Sequence, residues 1–114
     1  MEENKGNIKT VKLENGESVK MVKIEDGDTY ETFVKSNGEM FWKFIIEAIE
    51  KLAESKHLDN MTAFIIYGDK LDNNQEIIVQ RNGIDEIIEN ALNEMESLEE
   101  YELCNKLVKL SEEF

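Results

Sequence analysis

Residues 40–53 have the sequence MFWKFIIEAIEKLA, and this segment decides the fold. Apolar side chains recur along it every three or four residues, which is the period of an α-helix with one buried face. Its first half is apolar almost all round, so we expect the helix to lie deep in the protein. Ser36 and Glu39 have the spacing of a capping box and predict a helix from residue 36 to about residue 55.

On the N-terminal side of this helix, the sequence predicts a meander of three antiparallel strands. The strands cover residues 8–13, 18–24 and 29–35. A three-residue loop containing Gly16 would place Leu13 opposite Val19 in the first hairpin. A second turn, over residues 26–28, would place Met21 opposite Phe33.

On the C-terminal side, residues 62–67 and 76–80 are apolar runs without alternation. Such runs predict strands that are covered on both faces and are therefore central in a sheet. Helical spacing returns over residues 84–96 and 98–112, with a second capping box at residues 97–100. The order βββ-α-ββ-α-α predicts an α+β domain, in which helices pack on a mostly antiparallel five-stranded sheet.

The 114 residues predict one domain over residues 8–114, preceded by a flexible polar N terminus over residues 1–7. A composition of 40% hydrophobic and 34% charged residues is typical of globular proteins. Cys104 is the single cysteine, and no apolar run approaches the length of a membrane span. Abundant Lys, Asn, Ile and Glu, which have A/T-rich codons, suggest a bacterial or phage genome. We therefore expect a cytoplasmic protein of a bacterial host or of an infected bacterial cell.

Candidate catalytic and metal-binding groups are few. The single histidine, His57, follows a predicted helix end, where the helix dipole is enough to explain it. Cys104 has acidic neighbours in the sequence, and these disfavour a reactive thiolate. Oxygen-bearing side chains cluster in residues 69–76, but their spacing does not match a calcium-binding loop. We expect no catalytic residue, no metal and no cofactor.

Charge is the strongest indication of function in the sequence. The formal net charge is −13, and the segment between Arg81 and Lys106 holds eight acidic residues and no basic one. Such a chain repels nucleic acid, so the charge predicts a partner protein with a basic surface. The predicted partner-binding residues are carboxylates on the helices that follow residue 84: Glu86, Glu89, Glu96, Glu99 and Glu100.

Together these features predict a non-enzymatic binding protein that covers the nucleic-acid-binding surface of a partner such as a nuclease. Phage anti-defence inhibitors, including anti-CRISPR proteins, and immunity proteins against nuclease toxins act in this way. Three alternatives stay open: an immunity or antitoxin protein whose partner does not bind nucleic acid, a regulatory subunit whose charge serves solubility, and a small enzyme or ligand-binding domain. A pocket around Tyr30, Trp42 or Tyr67 would favour the last of these.

Overall fold

The computed structural model of the chain describes residues 8–12, 18–24, 30–68 and 74–114. Its strands are β1 (Ile8–Lys12), β2 (Ser18–Lys23), β3 (Asn60–Tyr67) and β4 (Gln75–Gln80). Its helices are α1 (Tyr30–Ser36), α2 (Gly38–Glu54), α3 (Ile84–Ser97) and α4 (Tyr101–Ser111). The predicted α+β class is confirmed, whereas the number and pairing of the strands differ from the prediction.

Helix α2 is the central helix that the sequence predicts. Its first and last residues each lie within two residues of the predicted bounds. Seven of its side chains are buried: Phe41, Ile45, Ile46, Ala48, Ile49, Leu52 and Ala53. Burying one aliphatic or aromatic side chain contributes roughly 1.5–3 kcal/mol, so this face of α2 supplies a large part of the driving force for folding. Ser36 is the last residue of α1, and Asn37 is the N-cap of α2, so Ser36 does not occupy the position that the predicted capping box requires. The Asn37 amide at the junction donates instead to the Phe33 carbonyl of α1, at 3.0 Å.

The predicted third strand, over residues 29–35, is wrong, because Tyr30–Ser36 forms helix α1. Phe33 and Val34 follow Tyr30 by three and four residues, a spacing that also fits a short helix. Phe33 is 3% exposed and lies with its ring centroid 6.4 Å from that of Phe64 on β3. Helical geometry therefore buries this aromatic ring in the core, although local β propensity favours a strand.

Among the described residues the sheet is mixed and has four strands in the order β1-β2-β3-β4, where the sequence predicts five strands. The outer pairs are antiparallel, whereas β2 and β3 are parallel and are joined through α1 and α2. Met21 consequently lies opposite Ile65 of β3 and not opposite Phe33. The prediction of a central position is confirmed for β3. It is wrong for β4, which is an edge strand with Ile78 42% exposed.

The first hairpin forms in a different register from the prediction. Val11 lies opposite Val19, and Lys9 lies opposite Met21. The predicted partner of Val19, Leu13, falls in residues 13–17, which lie outside the described residues. A register shift of two leaves every side chain on its original face of the sheet, so the hydrophobic pattern cannot distinguish the two pairings.

Within the described residues, all the helices pack on one face of the sheet. Alternate strand residues on this face, among them Val22, Ile66 and Val79, join side chains of all four helices in one core. Phe64, which is fully buried, lies within 5.6 Å of the Phe41 and Phe44 ring centroids. The opposite face carries the alternate side chains, such as Ile65 and Ile78.

The single arginine, Arg81, joins the end of β4 to the end of α2. Its guanidinium donates hydrogen bonds of 2.9 Å to the carbonyls of Leu52, Ser55 and Leu58. The last carbonyls of a helix lack partners within the helix, so a cation that binds them there satisfies both hydrogen bonding and the helix dipole. The Arg81 carbonyl in turn accepts a hydrogen bond of 3.2 Å from the N–H of Ile84, the first residue of α3.

Candidate protein-binding surface

Helix α3 presents a row of carboxylates to solvent. Ile84, Ile88, Ala91 and Met95 bury one face of the helix. Asp85, Glu89 and Glu96 are exposed and lie within about 40° of one another around the helix axis, with Glu86 at the next angular position. In the described part of the chain, none of these four carboxylates forms an ion pair, so their charge is available to a partner.

Glu99 extends this row across the junction of α3 and α4. Its φ of 59° places it in the left-handed region, where glycine is the usual residue. The Glu99 and Glu100 N–H groups donate to the Glu96 and Met95 carbonyls, at 3.0 and 2.9 Å, which is the bonding of a Schellman motif. The predicted capping box at residues 97–100 therefore ends α3 and does not begin α4. Together, Asp85, Glu86, Glu89, Glu96 and Glu99 are called the acidic surface below.

Glu100 differs in environment from the other predicted partner-binding residues. Its carboxylate lies 3.3 Å from Lys43 Nζ of α2, and Lys43 also binds Glu39 at 2.9 Å. The hydrogen bond from Lys43 is the main reason why the pKa of Glu39 lies below its usual value. Glu100 thus connects the α3–α4 junction to α2, and its charge is partly neutralised before any partner arrives.

Apolar side chains lie exposed beside the acidic surface. Leu98 is 43%, Tyr101 61% and Val108 50% exposed. The sequence pattern assigns Tyr101 and Val108 to the apolar side of the last helix, but Leu107 is the α4 residue that is fully buried. The seven-residue separation of Tyr101 and Val108 is the signal that places both on one line of the helix. These residues, Leu98, Tyr101 and Val108, are called the apolar stripe below.

Cys104 shows that the acidic surface and the apolar stripe are neighbours. It lies between Tyr101 and Val108 on α4 and is partly buried. The pKa of its thiol is raised, first by loss of solvent and then by the negative charge of Glu96 on α3. A carboxylate of the acidic surface therefore acts on the middle of the stripe. The same two effects disfavour the thiolate, so Cys104 is not suited to nucleophilic chemistry.

Comparison of the chain with protein-family models, with curated proteins and with solved structures finds no significant match. The surface must therefore be interpreted from its own chemistry. An exposed aromatic residue next to unpaired carboxylates has the composition of a protein-binding site, with an apolar centre and a charged rim.

The residues of the other predicted candidate sites lie apart from one another. His57 is exposed at the turn after α2. Trp42 packs edge-on against Phe41 at 5.3 Å, whereas Tyr67 lies beneath Lys9 on the far face of the sheet. Most of the oxygen-rich segment 69–76 lies outside the described residues. Among the residues that the structure describes, no cluster of His, Cys, Asp and Glu could hold a metal ion.

A groove of about 730 Å³ between α2 and α4 is one alternative site for a small ligand. Ala53 and Leu110 line it together with eight charged or amide side chains. Four of its seven charged side chains form ion pairs, with Lys106 3.5 Å from Glu50 and Lys56 3.5 Å from Glu113. The charge of the groove is therefore only partly neutralised by the described residues. No helix of the described residues combines the length and the apolar character needed to cross a bilayer.

Proposed function

We propose that this chain is a non-enzymatic binding protein, and that its acidic surface covers a basic, nucleic-acid-binding surface of a partner protein. The observation that carries the proposal is the row of exposed, unpaired carboxylates along α3, continued by Glu99. The four α3 carboxylates span about 16 Å along a rigid helix, and Glu99 follows at its C-terminal end. They resemble, in sign, the phosphates that a basic groove binds.

The chemistry of the surface supports inhibition by occupation of the groove. Each carboxylate accepts hydrogen bonds from Lys or Arg, as a phosphate does, and the long-range field of a chain of charge −13 accelerates the encounter. A nuclease or other nucleic-acid-binding protein covered in this way loses access to its substrate. Phage anti-defence inhibitors of the anti-CRISPR type use this strategy, and the proposal places the chain in the cytoplasm of a bacterial cell.

The test compares the parent chain with a charge-reversed variant, Glu89→Lys with Glu96→Lys. Both proteins are immobilised, exposed to a nuclease-treated bacterial lysate, and the retained proteins are identified by mass spectrometry. We expect the parent to retain a nucleic-acid-binding protein that the variant loses, and we expect purified chain to reduce the nucleic-acid binding of that protein. The association rate should fall steeply with salt, because rim charges act mainly on the encounter step.

The matched control is Asp59→Lys with Glu76→Lys. These exposed residues lie outside α3 and α4, and their reversal changes the net charge by the same amount. The control should retain the partner. Equal loss in both variants would attribute binding to net charge alone, and unchanged retention by the α3 variant would exclude the acidic surface as the interface.

A further inference from the structure

The apolar stripe is exposed and is covered by no other part of the described residues. It runs along the side of α4 that faces away from the core. Tyr101 and Val108 are separated by two helical turns, about 10 Å along α4, and Leu98 extends the row to the end of α3. Large apolar groups exposed this far are costly in water and concentrate at interfaces. The row is narrow and straight, which is the shape that the apolar side of a second helix fits.

Charge decides which helix could lie there. Glu99 and Glu102 are neighbours of Leu98 and Tyr101 in the chain, and Glu96 lies close enough to Cys104 to raise its pKa. Lys109 is the basic neighbour of Val108, but residues 96–112 hold five acidic residues and only two lysines. A second copy of this chain would therefore bring two surfaces of net negative charge together. An anionic membrane would be repelled in the same way. A helix with apolar residues on one side and Lys or Arg beside them would satisfy both the stripe and its acidic border.

We infer that the apolar stripe is the anchor of the interface, and that it receives a cationic amphipathic helix exposed on the basic partner. This inference rests on the proposed function and names the structural element of the partner that the surface binds. Tyr101 is the central anchor, because aromatic side chains supply large contact area with little loss of conformational freedom. The carboxylates of the acidic surface then set the orientation of the helix and its rate of association.

The test uses two synthetic probes, an amphipathic helical peptide of leucine and lysine and an oligolysine of equal charge. We expect the parent chain to bind the amphipathic peptide at least about tenfold more tightly, measured by calorimetry, because only that probe fills the stripe. Tyr101→Ser with Val108→Ser should remove this preference and leave oligolysine binding unchanged. Ile78→Ser, at an exposed apolar residue on the far face of the sheet, is the control and should change neither affinity.

The outcomes separate this inference from the proposed function. Charge reversal at Glu89 and Glu96 should weaken both probes and flatten the salt dependence of binding. If it does so while the stripe variant keeps the preference, the stripe inference is overturned and the acidic surface stands. If charge reversal changes the affinity for neither probe, both the proposed function and the stripe inference that rests on it are overturned. A parent dimer in sedimentation that dissociates in the stripe variant would assign the stripe to a second copy and overturn the inference.

Discussion

Glu99 is the residue at which local conformation and side-chain choice conflict. A left-handed φ costs a residue with a Cβ roughly 1–2 kcal/mol relative to glycine, yet the Schellman bonds of Glu99 and Glu100 require that conformation. The residue that has this strained conformation carries a carboxylate just past the end of α3.

Glu99→Gly should therefore raise the free energy of unfolding by about 0.5–1 kcal/mol, since the relief of strain exceeds the added flexibility of the unfolded chain. Urea denaturation followed by circular dichroism measures the change. Glu94→Gly removes the same charge from the interior of α3 and should lower stability by about 1 kcal/mol. Stability that falls in both variants would contradict the left-handed assignment.

At the scale of elements, the aromatic cluster around Phe64 holds the sheet against the helices. Phe33 of α1, together with Phe41 and Phe44 of α2, surrounds that one ring of β3. The cluster joins α1 and α2 to β3. Ile78, one strand away, is exposed on the face that the helices do not cover.

Phe64→Ala should lower the free energy of unfolding by about 3–5 kcal/mol, because it leaves a cavity in the middle of the core. Ile78→Ala should cost less than about 1 kcal/mol, since its side chain is already partly hydrated. Chemical denaturation measures both, and Phe64→Leu, with an expected loss of about 1–1.5 kcal/mol, serves if the alanine variant does not fold. Similar losses at the two positions would contradict a sheet covered on one face by helices.

At the scale of the whole molecule, a charge of −13 on 114 residues opposes the folded state through self-repulsion. The ion pairs of the described residues, such as Lys20 with Glu47, involve exposed side chains and contribute little each. Stability thus rests on the apolar core and not on the surface charges.

Sodium chloride should therefore stabilise the domain. Raising its concentration from 20 mM to 500 mM shortens the screening length and should raise the thermal midpoint by about 2–6 °C. The variant Glu89→Lys with Glu96→Lys has less charge repulsion at low salt, so its thermal midpoint should rise less. Differential scanning calorimetry measures both midpoints, and a midpoint that falls with salt would assign a net stabilising role to the surface ion pairs.

The sequence by itself determined the elements whose signals are local and long: α2, the helix α3 with its acidic side, and the apolar strand β3. Period and composition are enough there, because each segment has one face that must be buried. The helical form of α1, the parallel pairing of β2 with β3 and the exposure of Tyr101 were decided only by the tertiary structure. Each depends on which distant surface is free to cover a side chain, and a pattern along the chain does not contain that information.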